Sequence, residues 1–325
     1  MLAKGVYMII SNVRKQSDIQ PVMDRKKLMN NIIKHRQIYI LLAPGFLFLV
    51  LFKFVPMWGL ILAFKEYNPF AGILASKWVG FKFFIELFSD KNFYIMLRNT
   101  LIINLFGLIF FFPLPIILSV MLNEIRHESF KRITQSIVYL PHFLSWVVIA
   151  SMTFFFFSVD TGVVNKAIIN LGGTPISFLS NPALFWPLIT IQTIWREMGW
   201  GTIILLASIT GIDPQRYEAA VIDGATRWQQ IWYITLPGIM PTIVVLLILR
   251  LGHVADVSLE QILLMQNPLV ISVAEVFDTY AFSQGVQRGL ISIGVTVGMF
   301  KSVINLVLVL YSNYIIKKTG QDGIF

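Results

Sequence analysis

Six stretches of this chain, at 38–64, 96–122, 133–157, 183–209, 238–266 and 291–316, are long and apolar with few charges. A helix rises about 1.5 Å per residue, so about 20 apolar residues match the roughly 30 Å hydrocarbon core of a bilayer. Each stretch meets that length. Composition says the same: 56% of residues are hydrophobic and 13% charged, against about 45–50% and about 25% in soluble domains. Those figures exclude a water-soluble globule, and they exclude a disordered chain, which needs low hydrophobicity. The expected class is all-α: a polytopic membrane protein with six transmembrane helices. Cysteine is absent, which excludes disulfides, thiolate zinc sites, iron–sulfur clusters and a cysteine nucleophile.

Prolines interrupt most of these stretches: Pro44, Pro56, Pro113, Pro115, Pro141, Pro187 and Pro241. Neighbouring helices and Ser/Thr side chains can satisfy the backbone groups that proline frees in a membrane. Kinked helices follow, either around a cavity or as plain packing irregularity.

The charges set an orientation. Residues 1–37 carry eight Lys and Arg, 123–132 carry Arg126, Lys131 and Arg132, 210–237 carry Arg216 and Arg227, and the tail carries Lys317 and Lys318. The alternate loops hold Lys65, Lys77, Lys82, Lys91, Arg98, Lys166 and Arg288. The positive-inside rule places both termini in the cytoplasm, and an even span count agrees by putting them on one side. The net charge of +9 is then mostly topology and calls for no nucleic acid. The division is a basic segment at 1–37, a transmembrane domain at 38–316 and a cytoplasmic tail at 317–325. The leader and its apolar run are too long for a cleavable signal. Residues 24–37 suit an amphipathic helix on the membrane surface, and 65–95 suit an interfacial helix.

One loop is sharply patterned. Residues 213–237 read DPQRYEAAVIDGATRWQQIWYITLP. Asp213 is a good N-cap and Pro214 fits the first helical position. Gly224 can take the left-handed conformation that ends a helix. A second helical stretch, 225–235, carries Trp228, Ile231 and Trp232 on one face, and Leu236-Pro237 is expected to stop it. The result is a two-helix elbow on the cytoplasmic face, thin on one side at Ala219-Ala220.

Glu218-Ala219-Ala220, then Asp223-Gly224-Ala225, then Ile234-x-Leu236-Pro237 resembles the EAA loop of ABC importer permeases, with Ile231 where that loop has Phe. KFVPMWGLILAFKEYNP at 53–69, LPHFLSWVVIASM at 140–152 and the run 277–309 resemble the carbohydrate-uptake branch for complex saccharides and polysaccharides, alginate importer permeases among them. The resemblance implies a type I ABC importer permease fold, in a bacterial inner membrane. It implies half of a pathway for a saccharide, with alginate or another acidic saccharide as the expectation. The partners implied are a second permease, two ATP-binding subunits and an extracytoplasmic solute-binding protein. Residues 218–220 and 223–225 would dock on the ATPase. No G-x-x-x-x-G-K-[ST] phosphate loop occurs, so the chain cannot cradle ATP in that way; the resemblance implies that ATP and Mg sit on the partner ATPase and that this chain is a transport subunit with no catalytic or metal site.

Charges inside spans are costly and usually face protein or water. On an ideal helix Arg250, His253, Asp256 and Glu260 share one arc, a polar stripe suited to a wet cavity or to internal ion pairing. Lys301 and Asn305 share a face with Gly294 and Gly298, whose spacing permits close helix contact. Arg196 and Glu197 are adjacent, point about 100° apart and are not expected to pair. These seven residues, Arg196, Arg250, His253, Asp256, Glu260, Lys301 and Asn305, are the pathway candidates. Trp195, Trp200 and Tyr280 offer faces for sugar rings or serve as packing. Two other classes remain: an ion-coupled secondary transporter, which leaves the elbow unexplained, and an intramembrane hydrolase using His142 or His253 with Ser145 or Ser151, which has no supporting signature.

Overall fold

The computed structural model describes residues 34–318, 320 and 323. Most of the basic segment 1–37, its expected surface helix at 24–37 and most of the tail 317–325 lie outside the described residues. The chain divides into two units, 1–59 and 60–325.

Helix α1 (Arg36–Phe64) begins in the first unit. There a wide π-turn, Val50–Phe54, precedes the segment Val55–Met57 that contains Pro56. The rest follows in the second unit. A two-residue hairpin pairs β1 (Lys65–Glu66) with β2 (Lys77–Trp78), antiparallel. Then come α2 (Lys82–Ser89), α3 (Lys91–Glu124), α4 (Glu128–Phe143), α5 (Trp146–Phe157), α6 (Val163–Asn170) and α7 (Pro182–Thr210). Helix α8 (Pro214–Ile222) leads to α9 (Arg227–Leu251). The short α10 (Leu259–Met265), α11 (Ile271–Ala274) and α12 (Phe277–Ala281) precede α13 (Ile291–Lys318). The all-α expectation therefore needs one amendment, the hairpin within 65–95.

Among the described residues four helices, α1, α3, α9 and α13, are long and apolar enough to cross a membrane. Helices α4 and α5 make a fifth if taken together, but they meet at 99°. The expected span at 133–157 is thus a bent pair, as its Pro141 foretold. Its corner is a 3₁₀ turn, Leu140–Phe143, holding Pro141, followed by Ser145, whose hydroxyl caps α5. Helix α7 has 29 residues, about 44 Å at 1.5 Å each; it is diluted by Gln192, Thr193, Arg196 and Glu197.

Pro56, Pro113 and Pro237 share one local form, whereas Pro44, Pro187 and Pro241 sit inside continuous α-helix. Proline lacks an N–H and its ring clashes with the carbonyl four residues back. Three π-turns end two residues before a proline: Val50–Phe54 before Pro56, Gly107–Phe111 before Pro113 and Ile231–Thr235 before Pro237. The wider turn absorbs the misfit and the helix continues. Leu236-Pro237 therefore does not stop the second elbow helix, contrary to expectation; α9 runs through it.

Among the described residues, three apolar clusters hold the second unit. One joins Ala150 of α5, Phe185 and Ile189 of α7, and Ile262 of α10. Another joins Leu87, Phe93 and Met96 to Phe277 and Val297. The third sets Leu205 and Ile209 of α7 on Ile239 of α9. Glycine makes the tightest crossing: a Cβ on Gly199 of α7 would stand 2.1 Å from the Val138 carbonyl of α4. Of the expected glycine pair, Gly294 does pack closely, its would-be Cβ 2.9 Å from Gly285 Cα, whereas Gly298 has nothing within 4 Å.

At the end of the bundle carrying the 267–290 loop, Tyr280 donates to Asp90 at 3.2 Å. Burial and the Asp90 carboxylate push this phenol up to about 12. Nearby Glu275 is raised above the usual carboxylate range, first by burial and then by Asp90. A carboxyl raised on folding adds stability below its ordinary value, which is lost as pH rises through the raised one. The thermal midpoint of the detergent-purified protein should therefore fall as pH climbs above about 4.5, the ordinary value, and Glu275→Gln should remove that step from the pH profile.

Candidate functional site

The elbow is built as its turn residues dictate. Asp213 caps α8 by accepting from Gln215 N–H at 3.0 Å. The helix ends at Gly224 with φ +74°, and the Ala225 N–H returns to the Ala220 carbonyl at 2.8 Å, a left-handed C-terminal cap. Thr226 and Gln229 form a capping box that opens α9. Tyr217 OH meets Thr235 Oγ1 at 3.0 Å and Gln230 donates to the Ala225 carbonyl at 3.1 Å, bracing the helices together. Glu218, Ala219, Asp223 and Gly224 are exposed, and Ala220 and Ala225 half-buried. Ile222 and Tyr233 are exposed at 85% and 79%. A fixed shape with exposed apolar side chains is suited to insertion into a partner's groove.

The second site is a break in the helix expected over 238–266. Helix α9 ends at Leu251 and α10 starts at Leu259, so His253 and Asp256 stand in irregular backbone rather than on a helical stripe. Side chains from other helices replace the lost helical bonds. Asn305 Oδ1 accepts from Ala255 N–H at 3.0 Å, Asp278 Oδ2 accepts from Val257 N–H at 3.0 Å, and Asn104 donates to the Asp256 carbonyl at 3.2 Å. The Asp256 carboxylate receives Lys301 at 2.9 Å, Asn305 Nδ2 at 2.9 Å and His253 Nδ1 at 3.0 Å. Lys301 also pairs closely with Asp278. Asp256, Lys301, Asn305 and His253 are therefore one constellation.

Arg250 stands apart from that constellation. Its guanidinium lies 5.8 Å from the Phe111 ring centre and against Gly107, where an added Cβ would stand 2.4 Å from Nη2. With His253 and Trp200 it lines an open groove of about 590 Å³ between α3, α7 and α9. Glu260 is exposed in the first turn of α10, without an ion pair among the described residues.

Arg196 and Glu197 pair after all, because neither uses only its own helix face. Arg196 donates to the Leu144 carbonyl at 3.2 Å and lies 4.7 Å from the Trp146 ring centre. Glu197 is held by His142 Nδ1 at 2.8 Å, and His142 stacks on Trp200 at 4.3 Å. Long side chains thus swing towards the α4–α5 corner, and the pair clamps that corner to α7. The hydrolase arrangement is not formed: His142 faces Glu197, while Ser145 caps α5 and Ser151 donates to the Val147 carbonyl.

The sequence reading missed a buried amide chain. Gln261 donates to Gln192 at 3.0 Å and to the Ile189 carbonyl at 3.0 Å, and Gln192 donates to Thr153 at 2.7 Å. Two glutamines inside apolar spans were the available signal. It also missed Asp278, which lies in what reads as a loop.

Comparison with known proteins identifies the frame around these features. Residues 111–321 match the family described as "Binding-protein-dependent transport system inner membrane component". The chain is 48% identical over 292 residues to Protein LplB of Bacillus subtilis strain 168, covering 90% of this chain and 92% of that one. It is 46% identical over 301 residues to the polygalacturonan/rhamnogalacturonan transport system permease protein YteP of the same organism, covering 93% and 94%. Its fold is similar to a chain in the crystal structure of a bacterial alginate ABC transporter in complex with alginate pentasaccharide-bound periplasmic protein. That likeness has a TM-score of 0.83 and 38% identity, covering 92% of this chain and all of the other. The chain belongs to the binding-protein-dependent inner-membrane component family: it is an ABC importer permease, the transport subunit that works with other transporter components.

Proposed function

We propose that this chain forms half of the translocation pathway of an ATP-driven importer of oligo- or polysaccharides, with an acidic saccharide such as alginate as cargo. The observation that carries the reading is the braced, exposed elbow at 213–237 in a chain of this family. Glu218, Ala219, Ala220, Asp223, Gly224 and Ala225 form the face that docks on the ATPase, which holds ATP and Mg. Two ATP-binding subunits, a second and different permease and an extracytoplasmic solute-binding protein complete the assembly. Six spans are counted when α7 and the bent α4–α5 pair join the four most apolar helices, and both termini are cytoplasmic in a bacterial inner membrane. The substrate class draws support from two relatives, one named for polygalacturonan and rhamnogalacturonan, the other for alginate.

Co-purification of the tagged chain from its native membrane tests this reading. Two ATP-binding subunits, a second permease and saccharide-stimulated ATP hydrolysis are expected; uptake that survives ATP depletion but not a protonophore would instead identify a secondary transporter. The pathway residues are Arg196, Arg250, His253, Asp256, Glu260, Lys301 and Asn305. Among these Arg250, with its guanidinium on an open groove, is positioned to meet a sugar carboxylate. Arg250→Ala should cut uptake of an acidic oligosaccharide by roughly tenfold or more, the value of one charge-assisted contact, with less effect on a neutral one. Equal effects on both would remove Arg250 from substrate recognition.

A further inference from the structure

The elbow helix has a second face. Where α9 begins, Trp228 and Trp232 stand one turn apart, 73% and 63% exposed. Opposite them lie Ile117, Val120 and Met121 of α3, and the two helices enclose an open groove of about 880 Å³. Its lining is almost wholly apolar, and both helices are apolar enough to cross a membrane. One end is different. Glu124 and Arg227 are shared with an adjoining polar pocket of about 250 Å³ that also holds Arg126 and Tyr217.

Two arginines and one glutamate line that pocket, a surplus of one positive charge. Among the described residues neither arginine has an ion-pair partner. An apolar trough along membrane helices that opens onto unpaired arginines has the polarity sequence of a phospholipid. Tryptophans at its rim are residues that favour the headgroup level. Basic pockets at the ends of membrane helices bind anionic headgroups, and guanidinium matches phosphate in geometry as well as charge. A soluble ATPase is a poorer occupant, because the trough extends up α3 to Pro113, away from the docking face of α8.

We propose that this groove binds an anionic phospholipid, an acyl chain lying between α3 and α9 and the phosphate on Arg126 and Arg227. The site is separate from the transport reading and would stand without it. The test uses the purified transporter exchanged into detergent with equal phosphatidylglycerol and phosphatidylcholine, and retained lipid is counted by native mass spectrometry. Phosphatidylglycerol should be retained preferentially. Arg126→Gln with Arg227→Gln should cut that preference by roughly 20- to 30-fold, the worth of two charges near a headgroup. Ile117→Trp, which narrows the trough, should lower retained lipid of either kind. The chain has no cysteine, so Val120→Cys carrying a photocrosslinker reports the occupant directly, and a lipid adduct is expected. Equal retention of the two lipids, an unchanged preference in the double variant, or an adduct with a partner subunit in place of lipid would each overturn the assignment.

Discussion

Lys301→Met should cost the protein about 3 kcal/mol or more, the lower part of the range for breaking a buried ion pair from one side. The lysine side chain is 10% exposed and touches both Asp278, 21% exposed, and Asp256, 41% exposed. Removing it leaves two carboxylates facing each other with no cation between them. Asp256 retains enough water to soften its share of the cost; Asp278 does not. The backbone is also at risk, since Asp278 and Asp256 are the groups through which the 252–258 break is tied to α12 and α13. A drop in the thermal midpoint in detergent, and a loss of protein recovered from membranes, are the expected readouts. Combining Lys301→Met with Asp256→Asn and Asp278→Asn should recover much of the loss, because asparagine keeps an acceptor for the Val257 N–H without a buried charge. If the single variant is as stable as the parent, the constellation is not what secures the helix break.

That break also shows where sequence reading ends. Apolar run length and turn chemistry are local properties, and they located the elbow, Gly224 included, and the four most apolar helices, though the fifth expected stretch is displaced to 227–251. The interruption at 252–258 is not local. Its backbone groups are satisfied by Asn104, 152 residues from its partner, by Asn305, 50 residues away, and by Asp278, 21 residues away. Without those acceptors and donors the same residues project as a continuous stripe, so Arg250, His253, Asp256 and Glu260 read as one face. The structure instead divides them between a groove, an ion cluster and an exposed turn. The Arg196–Glu197 pair was hidden for the same reason, since Leu144, Trp146 and His142 on the neighbouring corner draw the two side chains together. Proline positions announced irregular helices, but not that Pro56, Pro113 and Pro237 would each follow a π-turn while Pro44, Pro187 and Pro241 stay inside α-helix.

Gly224→Pro should abolish saccharide-stimulated ATP hydrolysis, by tenfold or more, while leaving the protein in the membrane at normal levels. The reason is purely backbone. Gly224 holds φ at +74°, and proline is confined near −65°; it also lacks the N–H that bonds the Val221 carbonyl at 3.1 Å. The cap that turns α8 into α9 cannot then form, and α8 leaves the angle set by Tyr217 and Gln230. Space is not the issue, since a Cβ at this position meets nothing within 4 Å. A graded series separates the two causes: Gly224→Asn, which tolerates the left-handed region, should stay near the parent. Gly224→Ala, at about 1–2 kcal/mol of backbone cost, should fall between asparagine and proline. The elbow is exposed and contributes little to the three apolar clusters, so coupling should fail before stability does. A proline variant with stimulated hydrolysis intact would show that the angle between α8 and α9 carries no work from the ATPase to the membrane helices.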